Sequence, residues 1–137
     1  MRSEEGTLGA TIRRTLAVVA LAGMACVSTI AYAKPSGSWR IVFDHVAENE
    51  GAIVLRVAPI EGTAIDIEIK VPARTTENGV ADLVSDTLKA KLGSDNFRVG
   101  VDDGEEVVIK KRGKTKNFEL TLVSNSLTGL SINIERH

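Results

Sequence analysis

The run AIDIEIKVPARTTENGVADLVSDTLKAKLG, residues 64–93, changes its hydrophobic period part-way along. In Ala64 to Val71, Ile65, Ile67, Ile69 and Val71 alternate with Asp66, Glu68 and Lys70. A period of two predicts a strand with one face on a core and one in water. Pro72 closes it, because proline lacks the N–H that an interior ladder needs. Beyond Pro72 the period lengthens. Val80, Leu83, Val84, Leu88 and Leu92 recur at helical spacing. Thr75-Thr76-Glu77-Asn78 supplies cap hydroxyls and an acidic first turn, Lys89 and Lys91 fall in the last turn, and Gly93 suits the position after it. The predicted element is one amphipathic helix of about four turns.

Outward from this run the chain reads as strands. Upstream, Ser38 to Val46 places Trp39, Ile41, Phe43 and His45 on one face, and Ala52 to Ala58 aligns Ile53, Leu55 and Val57. Glu48-Asn49-Glu50-Gly51 between them is turn chemistry, so these two strands are expected to form a hairpin. Downstream, Phe97, Val99 and Val101 alternate up to Asp102-Asp103-Gly104-Glu105, a hairpin signal centred on Asp-Gly. Val107 and Ile109 return, Phe118, Leu120 and Leu122 follow, and Leu130, Ile132 and Ile134 form the last strand. The order is βββ-α-ββββ. The helical stripe must cover an apolar sheet face. The expected fold class is therefore α+β: an antiparallel strand-rich layer, curled to some degree, covered by one amphipathic helix.

The first 33 residues are different in kind. Arg13-Arg14 precede an uncharged stretch from Thr15 to Ile30, and Ala31-Tyr32-Ala33 follows. A basic flank, an apolar run and an Ala-x-Ala site are the parts of a secretory signal peptide. Cleavage is expected between Ala33 and Lys34, leaving a single small domain over residues 34–137. Three other readings stay open. Thr15 to Ala33 is close to the length of a bilayer span and could remain as an anchor. Cys26 could take a lipid, although Gly23 stands where a lipoprotein signal normally has Leu or a similar residue. Arg13-Arg14-Thr15-Leu16 partly resembles a twin-arginine signal.

Composition excludes several functions. With 43% hydrophobic and 26% charged residues and a formal net charge of −1, the chain is neither a disordered tail nor a globally basic nucleic-acid binder. Three of the 17 Lys+Arg and two of the 18 Asp+Glu precede Lys34, so the domain itself carries a net −2. Its only cysteine, Cys26, lies in the export segment, which leaves neither a disulfide nor a thiolate nucleophile for the domain. A chain of ~100 residues buries about 65% of its unfolded surface and can fold on an apolar core alone. His45 and His137 are the only histidines and match no zinc spacing. Phosphate-loop, dinucleotide and nucleophile-elbow motifs are missing from the sequence, and no cofactor is expected.

Four features remain as candidates. Lys110-Lys111-Arg112-Gly113-Lys114-Thr115-Lys116 packs five cations into seven residues, expected at a hairpin tip. It could contact anions such as lipid phosphates or acidic polysaccharide. Nucleic acid is disfavoured, because the one nearby aromatic, Phe118, alternates inward. The competing reading is a solvated turn whose charge is balanced by Asp102, Asp103, Glu105 and Glu106 on the adjoining hairpin. Asp44-His45 is an acid–histidine neighbour pair, but adjacent strand residues point to opposite faces, which disfavours the orientation that catalysis needs. Asp66 and Glu68 share a strand face beside Lys70 and read as polar sheet surface rather than as a glycosidase pair. Trp39 could stack on a sugar, although a lone tryptophan at a strand start more often anchors that strand in the core.

The segment Thr63 to Ile134, with VADLVSDTLKAKL followed by FRVGVDDGEEVVIKK and NFELTL, resembles helix-then-hairpin modules in extracellular structural proteins of bacteria and phages, such as tail, flagellar and adhesin proteins. It also resembles small exported proteins of Gram-negative bacteria. The resemblance implies a non-enzymatic role and transfers no functional residue. The leading expectation is a periplasmic or secreted binding or structural-interaction protein, without catalytic residues or a metal. Its partner would be a protein or an anionic envelope component, met through Lys110, Lys111, Arg112, Lys114 and Lys116 or through a free sheet edge. It would touch the membrane only through the transient signal segment. The alternatives are a hydrolase of envelope polymer and a subunit that self-assembles through its sheet edges.

Overall fold

The computed structural model describes residues 34–137. The expected signal segment, with Ala33 of its cleavage site, lies outside the described residues. Seven strands and one helix follow in chain order: β1 (Ser38–Asp44), β2 (Gly51–Pro59), β3 (Ile65–Val71), α1 (Glu77–Leu92), β4 (Phe97–Asp102), β5 (Glu106–Lys111), β6 (Phe118–Asn125) and β7 (Ser131–Arg136). Among the described residues the fold is α+β, with antiparallel strands and a single helix, as the change of period predicts. Among the described residues no helix is long and apolar enough to cross a membrane.

The strands build two sheets, in the orders β4-β5-β1-β7 and β3-β2-β6. One expectation is corrected here. The strand-rich layer is divided between these two sheets, and β1 and β2 do not form a hairpin. β1 pairs with β5 and β7, whereas β2 pairs with β3 and β6. Burial is the physical reason. Trp39, Ile41 and Phe43 of β1 and Ile53, Leu55 and Val57 of β2 all turn inward to one core, so each sheet covers the other's apolar face. Just before β1 the chain crosses between the sheets. Ser36 bridges Phe118 of β6, and two residues later Ser38 aligns with Lys110 of β5. Gly37 stands at this corner, and the stem of Lys111 passes so close that an added Cβ would sit 3.0 Å from its Cε.

The helix forms where expected. The Thr76 hydroxyl accepts a hydrogen bond from the Gly79 N–H at 3.2 Å, and Gly93, at φ +74°, donates its N–H back to the Lys89 carbonyl. Val80, Ala81, Val84 and Leu88 are buried, and Leu83 and Leu92 flank them. This face touches β3 of one sheet and β4, β5 and β1 of the other, closing the core between them.

Candidate functional site

The turn Asp103-Gly104-Glu105 determines which side chains meet on the β4–β5 hairpin. Asp103 and Gly104 take left-handed backbone, at φ +51° and +79°, which an Asp-Gly pair adopts readily. The resulting register sets Asp102 opposite Glu106, Gly100 opposite Val108 and Arg98 opposite Lys110. Because Phe97, Val99, Val107 and Ile109 point inward, these three pairs lie on the outer face. One end of the hairpin is acidic and the other is cationic.

Each of the five cations expected from the sequence is exposed. They do not sit at a hairpin tip. β5 and β6 belong to different sheets, so residues 112–117 cross from one sheet to the other. The balancing of their charge by Asp102, Asp103, Glu105 and Glu106 is also corrected. Those acids lie near the opposite end of β4 and β5, about 17 Å away at strand rise. Among the described residues, no carboxylate comes within ion-pair distance of Lys110, Lys111, Arg112, Lys114 or Lys116. Within the group the roles differ. Lys110 stands on the outer face of β5. Arg112 is structural in part: its guanidinium donates to the Ser94 carbonyl at 2.8 Å, and its N–H donates to Asn96, tying the crossover to the end of α1. Lys114 and Lys116 project from the crossover itself.

The structure adds two cations to this end. Arg98 faces Lys110 across the hairpin. Lys89 of α1 joins Arg98 and Arg112 around a depression of 260 Å³ floored by Phe97 and Val99. Arg98 also lines a second depression, of 280 Å³, on the outer sheet face with Lys110 and His137. The hairpin signal in the sequence places Arg98 on the strand facing β5 but does not give its partner. A two-residue Asp103-Gly104 turn would pair residue 98 with residue 109; the three-residue turn that forms shifts the register by one and pairs it with residue 110. Lys89 has no such signal, because its place depends on how α1 packs.

The other candidates fall elsewhere. Trp39 is 6% exposed, and its indole N–H donates to the Phe118 carbonyl at 2.8 Å, which places it in the core as an anchor. β1 ends at Asp44, one residue before His45, whose φ is +70°. His45 therefore leaves the Trp39 face where alternation put it. Its ring swings to 3.7 Å from the Asp44 carboxylate, with both side chains 70% exposed. It lines none of the depressions described. Asp66 accepts two hydrogen bonds from Arg56, directly opposite on β2, at 2.7 and 3.0 Å. That hydrogen bonding, aided by the Arg56 charge, holds the Asp66 carboxyl below its ordinary value. Asp102, Asp103 and Glu106 bring carboxylate oxygens within 4.8 Å of one another, the one such grouping among the described residues. They supply three of the six to eight oxygens that calcium takes.

No protein-family model matches the chain, and no curated protein matches it either.

Proposed function

We propose that the chain is a small exported binding protein, non-enzymatic, whose cationic end engages an anionic component of the cell envelope. One observation carries this reading. Arg98 joins Lys110, Lys111, Arg112, Lys114 and Lys116 at one end of the domain, and among the described residues no carboxylate lies within ion-pair range of any of them. On a domain that is acidic overall, such segregation costs self-repulsion, which a bound polyanion relieves. The opposite end of the same hairpin repels that polyanion and orients the domain against it.

Retention of the full chain on heparin is the test. Changing Lys111, Lys114 and Lys116 together to Ser spares Arg112 and its bond to Ser94. The variant is expected to elute at clearly lower salt than the wild type, whose own retention weakens as salt screens the contact. Equal elution of the two proteins would remove the reading.

A second reading, assembly through sheet edges, draws on β6. Beyond the Ser36 bridge its outer edge carries Leu122 and Val123, exposed by 37% and 45%. Light scattering on the purified chain separates a monomeric binder from such an assembly.

A further inference from the structure

The outer face of the four-stranded sheet is ordered in rows across β4, β5 and β1. One row reads Arg98, Lys110, Ser38; the next reads Gly100, Val108, Arg40; the third reads Asp102, Glu106, Val42. In the first row two cations stand directly opposite each other, an arrangement that destabilises a sheet unless something neutralises it. Beside Lys110, the Ser38 hydroxyl is buried with no hydrogen-bond partner. In the second row Gly100 leaves the floor open: a Cβ placed there would meet no atom within 4 Å. The result is the 280 Å³ depression, with Arg98, Lys110 and His137 at one end, Gly100 and Val108 beneath, and Asp102 at the far end.

Arg40 sets the chemistry of the rim without entering it. Its guanidinium lies at ion-pair distance from Glu106, 3.6 Å, and Glu135, 4.0 Å, although its Nε is buried without a hydrogen-bond partner. It also approaches His137 Nδ1 at 2.7 Å. Arginine can only donate, so Nδ1 accepts and the ring hydrogen sits on Nε2. The remaining ring nitrogen of His137 is therefore a donor. Two cations and a third donor line one end of the depression, while Asp102 lines the other and repels negative charge there.

We infer that this depression binds a phosphate monoester. The Arg98 fork and the Lys110 ammonium take the phosphate oxygens, His137 Nε2–H supplies a further donor, and the organic substituent lies over Gly100 and Val108. The charge argues for phosphate over carboxylate. A monoester carries about −1.5 to −2 at pH 7 and matches two cations, whereas a carboxylate leaves one of them unmet. This inference rests on the anion-contact reading above and names its ligand class. It is separable from that reading because it depends on the sheet face and not on the crossover residues Lys114 and Lys116.

The test is a nitrogen-15 amide titration of the full chain with methyl phosphate. Saturable shifts are expected at Arg98, Gly100 and Lys110. Gly100→Val is the decisive variant, since it fills the floor, suits a strand and leaves the net charge unchanged. It is expected to weaken methyl phosphate binding by about tenfold or more, as is Arg98→Gln, from the loss of charge-assisted hydrogen bonds. The pair Lys114→Ser/Lys116→Ser is expected to stay within about twofold of wild type on the same grounds. Binding by Gly100→Val equal to that of wild type, or non-saturating shifts spread along residues 111–116, would mean diffuse attraction and overturn the site. Absent methyl phosphate shifts with heparin retention intact would overturn the site and leave the broader reading standing. Loss of both would end both. Vesicles containing phosphatidic acid identify the source. If Gly100→Val releases the chain from them, the ligand is a lipid headgroup; if only methyl phosphate binding is lost, it is a soluble ester. Both results support the site.

Discussion

Replacing Trp39 by Phe tests whether this side chain serves the fold or a ligand. The indole N–H donates to the Phe118 carbonyl, and that oxygen also accepts the Ser36 N–H at 2.9 Å. Losing the indole donor therefore leaves the carbonyl with one partner. The cost is then the net value of one hydrogen bond, about 1 kcal/mol, without the added penalty of an orphaned acceptor. The smaller ring also leaves roughly 40 Å³ of space in the core, which at ~24 cal/mol per Å³ comes to about 1 kcal/mol more. The sum is about 2 kcal/mol, a sizeable share of a typical domain stability of ~5–15 kcal/mol. Urea unfolding followed by far-ultraviolet circular dichroism should show a midpoint lower by about 1 M. The melting temperature should fall by roughly 8–12 °C. Ser36→Pro, following Pro35 in the chain, removes the other donor. The double variant then strands a buried carbonyl, and the two effects should exceed their sum by about 1–2 kcal/mol. A change in Trp39→Phe below about 0.5 kcal/mol, the size of an ordinary surface substitution, would refute the anchor and reopen ligand stacking.

Gly129→Ala should destabilise the domain by about 2–3 kcal/mol in the same denaturation assay, because the residue sits at φ +83° and its new Cβ would lie 2.8 Å from the Val46 carbonyl and 2.6 Å from Glu48 Cγ. Ser85→Ala should raise stability by about 1–2 kcal/mol, since it deletes a buried hydroxyl with no partner from the core face of α1 and replaces serine by the best helix former. Asp66→Asn should lower the melting temperature slightly at pH 7. Asp66 titrates lower when folded than when unfolded, so its contribution is present above the unfolded value and disappears as pH falls through the folded one. The gap between wild type and variant should therefore close below about pH 4, and a gap that persists there would contradict the ion pair.

Local signals carried much of this architecture. Alternation in Ile65 to Val71 and the helical period from Val80 to Leu92 were enough for both elements, their caps and the α+β class. Inward and outward faces followed from parity, except near strand ends, where Ile65 and Val101 are exposed, and at the register shift in mid-β6, where Leu122 is exposed despite its apolar character. The partition into two sheets was not legible. A turn-like Glu48-Asn49-Glu50-Gly51 is compatible with a hairpin, but whether β1 lies beside β2 or beside β5 depends on contacts dozens of residues apart. The same limit hid the crossover nature of Lys111 to Lys116, which looks like a hairpin tip until β5 and β6 part company. His45 was misplaced for a different reason. Parity holds only while the strand lasts, and the left-handed step at His45 ends it. Of the candidate site, Lys110 to Lys116 could be named from composition, whereas Arg98 required the three-residue turn that sets it against Lys110 and Lys89 required the docked helix.

The dependence of the proposed site on one turn has a structural corollary. In a hairpin the side-chain period is two, so a slip of one residue exchanges the faces of every following pair. Were Asp103-Gly104 to yield such a slip, Lys110 would face Val99 or Phe97 and its charge would be driven toward the core beside Ile109's former position. Burying that ammonium unpaired costs several kcal/mol, while the correct register buries Phe97, Val99, Val107 and Ile109 together. The apolar core and the cationic row therefore select the same register from opposite sides. The arrangement that brings Arg98 against Lys110 is held in place by hydrophobic burial on the inner face, which is why two like charges can persist opposite each other without the sheet rearranging to separate them.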